Sequence, residues 1–192
     1  MANDSSTPFG LRPLRNVGQA DHNAGLGEWL KAASSGAIYH HELTAMQATG
    51  YVISAGAGGG TLVGSLNGSF YTDPTTSKPT WSNYAPNVAA SDHTCLISDN
   101  PQTMFEMMTL RTDLTNPGSV GANADIVVGT GSTTSPFSSQ NSIGAIVGAA
   151  AATQIRVLGL TRDTLSQDVS VAGSVWRVMI NEHLLGNNAI GI

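Results

Sequence analysis

From Ala37 onward the chain is a succession of short apolar or alternating runs, each closed by turn-forming residues. The runs are Ala37–Leu43, Gly50–Ser54, Leu62–Tyr71, Thr94–Ser98, Thr103–Leu110, Ile143–Ala149, Thr153–Leu160 and Ser174–Asn181. Their length and spacing predict an all-β domain, an antiparallel β-barrel or sandwich with long loops. Gln102–Arg111 contains helix formers, but Phe105, Met107 and Thr109 alternate with Met104, Glu106 and Met108, and that period of two favours a strand. In the last run Trp176, Val178 and Ile180 share one side, the expected buried face, and Val175, Arg177, Met179 and Asn181 share the other. Asn67-Gly68 fits either a hairpin turn or a bend within a single strand. Gly56–Gly60, Tyr71–Tyr84 and Gly129–Ser142 read as loops, the second pinned by its aromatics. Glu28–Ala32 reads as a strand or a short helical turn.

The division expected along the chain is an N-terminal arm and lead-in over 1–34, followed by a single β-domain over 35–192. Between Pro8 and Pro13 two prolines and a glycine disfavour helix, while Phe9, Leu11 and Leu14 give an extended strip apolar groups in need of a partner. Arg12 and Arg15 lie among them, and arginine beside aromatic residues is a common interface anchor. This extended N-terminal arm is therefore expected to lie across a neighbouring chain, with Phe9, Leu11, Arg12 and Arg15 buried or paired there. An arm folded onto its own domain is the alternative.

At 192 residues one domain with a real core is expected. Charged residues make up 11%, against roughly 25% in average soluble proteins, so the surface is polar but poorly charged. A net charge of −5 with eight Lys and Arg spread singly argues against nucleic-acid binding, which needs clustered cations. Cys95 is the only cysteine, which excludes an intramolecular disulfide or a multi-cysteine zinc site. No basic segment followed by an apolar run opens the chain, and no stretch approaches the roughly 20 apolar residues of a membrane span. Synthesis as a soluble cytosolic protein is the expectation.

Chemistry-bearing motifs are sparse. No Walker loop, Rossmann fingerprint or Gly-x-Ser-x-Gly elbow occurs. His40-His41-Glu42 resembles a metal cluster, but neighbours in a strand point to opposite faces and would not share an ion. Asp92-His93-Thr94-Cys95 offers an acid, a base and a thiol, yet buried Cys95 is the simpler reading. Asn181-Glu182-His183 suits the capping of turns, contact with another subunit or, least of all, acid and base work. Trp29, Trp81 and Trp176 suit core or interface anchoring better than a sugar platform. No enzyme activity, cofactor or metal is expected.

Three stretches carry a family likeness: Pro8–Pro13, Phe70–Tyr84, and Ile155–Leu160 together with Val178–His183. They resemble small virion structural proteins of tailed bacteriophages, of the capsid cement or decoration type. The resemblance implies a protein on the outside of an icosahedral head that bridges neighbouring capsomers. Its partner would be the major capsid protein, and it would form a homo-oligomer, a trimer before a dimer, with neither nucleic acid nor membrane involved. Phe9, Leu11, Arg12, Leu14, Arg15, Trp81 and Tyr84 are the interface residues expected on this basis. The other function class is a receptor- or glycan-binding module on the virion surface, using Trp81, Tyr84 and the loop over Gly129–Ser142.

Overall fold

The computed structural model describes residue 3 and residues 7–18, 25–56, 60–134, 137–147 and 153–186. Among them twelve strands follow in chain order: β1 Arg12–Asn16, β2 Gly27–Leu30, β3 Leu43–Met46, β4 Val52–Ser54, β5 Leu62–Thr72, β6 Pro79–Ser82, β7 Thr94–Ser98, β8 Thr103–Met108, β9 Asn123–Val127, β10 Ser142–Ile146, β11 Ile155–Leu160 and β12 Val175–Ile180. A single 3-10 turn, Thr164–Ser166, interrupts them. All ladders are antiparallel and form two open six-stranded sheets. The first has the order β1-β8-β12-β11-β9-β10, and the second β2-β7-β5-β3-β4 with β6 beside β5. The arrangement is a sandwich and not a closed barrel.

One core joins the sheets. Phe105, Met107, Trp176 and Val178 of the first sheet pack with Leu43, Ala45 and Leu62 of the second. The expected inward face of β12 is the buried one, and β8 is a strand, buried along all of its length. A smaller cluster, with Val63, Leu66, Cys95 and Ile97, covers the second sheet's opposite face together with Ile38 and Ala85.

Several boundaries differ from those expected. The run at Ala37–Leu43 is irregular, because His41 has φ +62° and breaks the extension, and the strand starts at Leu43. β6 lies inside the expected loop at Tyr71–Tyr84, where Phe70 faces Trp81. The expected strand at Ile143–Ala149 is β10, which ends at Ile146; positions 148 and 149 lie outside the described residues. β5 runs straight through Asn67-Gly68: Leu66 faces Ile97 and Gly68 faces Leu96, leaving Asn67 as the extra residue of a bulge. Its side chain donates to Ser98 Oγ at 2.8 Å.

Candidate docking surfaces

The arm belongs to its own domain. Its backbone is sewn in by Leu11 N donating to His41 O at 2.8 Å, Ser65 Oγ donating to Leu11 O at 2.6 Å, and Val17 N donating to Gln102 O at 2.9 Å. Leu11 is fully buried in the shared core. Gly10 makes this approach feasible: it has φ +77°, and a Cβ there would stand 2.2 Å from His41 O. Even Asn3 is engaged, its amide donating to Asp168 O at 2.9 Å and accepting from Asp168 N at 3.1 Å. The segment 1–34 thus supplies an edge strand to each sheet, β1 to the first and β2 to the second, and is no separate lead-in. The expectation that Leu11 anchors a subunit contact fails for a physical reason: it is fully buried in the same core as Phe105 and Ile143, so its apolar surface is satisfied within the chain.

Arg12 and Arg15 keep an outward role. In β1 the register shifts between Pro13 and Arg15, so Arg12 faces Glu106 and Arg15 faces Met104. Three residues apart, they would point to opposite sides of a regular strand; the bulge, with half-buried Leu14 as the extra residue, returns them to one side. Arg12 is ion-paired to Glu106 and lies 4.9 Å above the Phe9 ring.

Trp81 stands in a different place. Leu30 of β2, Thr94 of β7, Phe70 of β5 and Trp81 of β6 are successive partners across four strands, so their side chains share a face. Leu30 is 48%, Phe70 46% and Trp81 56% exposed, and half-buried Leu96 adjoins them on the same face. The indole lies over Gly68, where a Cβ would come within 2.7 Å of the ring. The face is continuous with the core side of the sheet, since Leu43, Ser65 and Ser98 form a row and alternation carries it from Ser98 to Leu96 and Thr94.

Tyr84 does not join this row. It is half-buried in a stack between Tyr39, at 6.3 Å, and Phe137, at 4.3 Å. The loop over Gly129–Ser142 is fastened to that stack, with Gly131 directly beneath the Tyr39 ring. Of the other tryptophans, Trp176 is in the core with its indole N–H donating to Ser174 Oγ, and Trp29 packs on the smaller cluster and donates to Asp99 at 2.9 Å.

The chemistry-bearing motifs resolve into structure. The turn at His41 stacks its ring on His40 at 3.8 Å, contrary to the opposite-face expectation. Burial, with His40 and the Arg12 cation, pushes the His41 pKa down to about 3. Glu42 is a buried carboxylate accepting from Ser54 Oγ and Tyr39 N, both at 2.6 Å, and burial raises its pKa. Cys95 is fully buried, and burial pushes its thiol up to about 12, the reverse of what a nucleophile needs. Asn181-Glu182-His183 closes β12 through backbone bonds, and His183 Nδ1 accepts from Leu185 N at 3.0 Å. Among the described residues no group of three or more His, Cys, Asp and Glu is placed to hold a metal ion.

Leu30 and Phe70 were not singled out by the sequence. Alternation around Trp29 and Tyr71 turns each outward, but only strand pairing shows that Phe70 faces Trp81 and that Leu30 lies in the same row. Compared with protein families, curated proteins and solved structures, the chain matches none.

Proposed function

We propose that this chain is a structural protein of a tailed-phage virion, a cement or decoration protein that docks on the outside of the head and stabilises contacts between capsomers. The observation that carries the reading is the exposed row of Leu30, Phe70 and Trp81. Other large apolar side chains are exposed, Leu165 and Leu185 among them, but Leu30, Phe70 and Trp81 share one sheet face with only Thr94 between the first two, and such a grouping marks a protein-docking patch. Covering them removes on the order of 300 Å² of apolar surface, about 7 kcal/mol before the costs of association. Repetition over a symmetric shell multiplies even a weak contact of this kind. The two-sheet body, with β1 sewn into it, supplies the stiffness that such a bridge needs.

The test uses the full chain and heads assembled from the major capsid protein of the phage that encodes it. Phe70→Ser with Trp81→Ser is expected to leave the circular-dichroism spectrum unchanged and to lower head occupancy at least tenfold. Full occupancy by the double variant, or no binding by the unaltered chain, overturns the proposal. Glycan binding is the second reading, favoured by the open face of the Trp81 indole alone, since Tyr84 is committed to its stack. Binding on a glycan array that Trp81→Ala abolishes, with no attachment to heads, would put it first.

A further inference from the structure

The outer face of the first sheet gathers cations that the sequence spreads singly. Phe105, Met107, Trp176, Val178, Ile155 and Val157 point into the core. The alternate positions of the same strands therefore point away from it. Strand pairing aligns these outward positions in two neighbouring rows: Arg12, Glu106, Arg177 and Gly159; and Arg15, Met104, Met179, Arg156 and Asn123. Four of the chain's eight Lys and Arg thus share one sheet face. Their grouping depends on the bulge in β1 for Arg12 and Arg15, and on Gly159 for Arg177, because a Cβ there would stand 3.0 Å from the guanidinium.

Two acids share the face. Glu106 is engaged by Arg12 and accepts from Thr161 Oγ1 at 2.8 Å, while Asp125 follows Asn123 by two positions along β9. Cations remain in excess. Arg156 is exposed and uses its Nε on Asn123, at 3.2 Å. Arg177 Nε finds no acceptor among the described residues. Half-buried Met179 lies between the cations, with Met104 buried beneath them, and arginine with methionine is the composition enriched at protein interfaces. Arg15 and Arg156 are separated by three strand spacings, about 14 Å, a span that four or five residues of extended chain cover.

We propose that this face is a second docking surface, separate from the Trp81 row and independent of the function proposed above, and that its partner is a carboxylate-rich protein segment. Charge complementarity selects the partner: an excess of guanidinium groups on a chain of net charge −5 is matched by acids, which accept paired bonds from arginine. The overall negative charge opposes a nucleic acid, whose phosphates would meet repulsion from the rest of the molecule.

The probe is a fluorescent decaglutamate peptide, with decaglutamine and a single-stranded oligonucleotide of equal charge as comparisons. The full chain is expected to bind decaglutamate alone, with binding weakened by added salt and amide NMR shifts confined to β1, β8, β11 and β12. Arg15→Glu with Arg156→Glu is expected to weaken binding at least tenfold. Lys78→Glu, in the β5–β6 turn of the other sheet, leaves it unchanged. No binding of decaglutamate, tighter binding of the oligonucleotide, shifts elsewhere, or equal binding by the double variant each overturns the proposal.

Discussion

The indole of Trp81 lies across Gly68 on the adjoining strand, in space that any side chain at 68 would occupy: a Cβ would stand 2.7 Å from the ring and 3.0 Å from Ser82 O. Gly68→Ala is therefore expected to lift the indole and cost about 1 kcal/mol, the lower end for inserting a methyl into an occupied site. Iodide quenching of tryptophan fluorescence reads the displacement, because Trp176 is in the core and Trp29 is half-buried. Unchanged quenching would show that the ring does not rest on Gly68.

Leu11 sits in the same core as Phe105 and Trp176, so the arm is part of what holds the domain together. Leu11→Ala is expected to lower unfolding stability by about 2–5 kcal/mol, the range for truncating a buried leucine. Deleting residues 2–16 removes β1 with it and should yield an unfolded chain. Urea denaturation followed by circular dichroism checks both, and a folded deletion variant would refute the assignment of β1 to the first sheet.

Arg12 and Glu106 are unequally exposed, 53% and 12% at the side chain. Removing the exposed partner leaves a buried carboxylate that accepts from Thr161 Oγ1, with Arg177 its cross-strand neighbour, whereas removing the buried charge leaves a guanidinium that water can solvate. Arg12→Ala is expected to cost about 1–3 kcal/mol, Glu106→Gln less than about 1 kcal/mol, and the double variant less than the sum of the two. Additive losses would mean that the pair does not interact.

The alternation in Thr103–Met108 and Val175–Ile180 showed in the sequence both that these are strands and which side of β12 is buried. Local pattern does that much because side-chain direction repeats every two residues. It does not reveal which strands adjoin. Phe70 and Trp81 are eleven positions apart and Leu30 is forty before Phe70, so their row exists only once β2, β7, β5 and β6 are paired. Arg12 and Arg15 show the second gap: a spacing of three puts them on opposite sides of a regular strand, and only the bulge at Leu14 reverses that. The same limit hid the arm's destination, since an apolar strip in search of a partner looks alike whether that partner is another chain or Phe105.

Cys95 is paired across the sheet with Trp29 and Ser69 and lies in the smaller core cluster. With its thiol held near 12 by burial, it is expected to react with an aromatic disulfide reagent at pH 8 at least a hundredfold more slowly in the native chain than in urea. Equal rates would place the sulfur at the surface.

His93 is fully buried against the Tyr71 ring at 4.8 Å, and neither ring nitrogen finds a partner among the described residues. Burial first, and then the Lys31 cation, push its pKa down to about 4, against a smaller opposing pull from Asp92. The folded state therefore holds a neutral imidazole that the unfolded chain protonates near 6.5. Its contribution is full above about pH 6.5 and is lost as the pH falls through the folded value, so a change from pH 7.5 to 4.5 is expected to cost about 2–3 kcal/mol. His41, held near 3, works in the same direction. His93→Phe keeps the ring against Tyr71 and removes the titrating group. Urea midpoints at the two pH values should differ less in this variant than in the unaltered chain, and an identical pH slope would rule out His93 as the source of the acid lability.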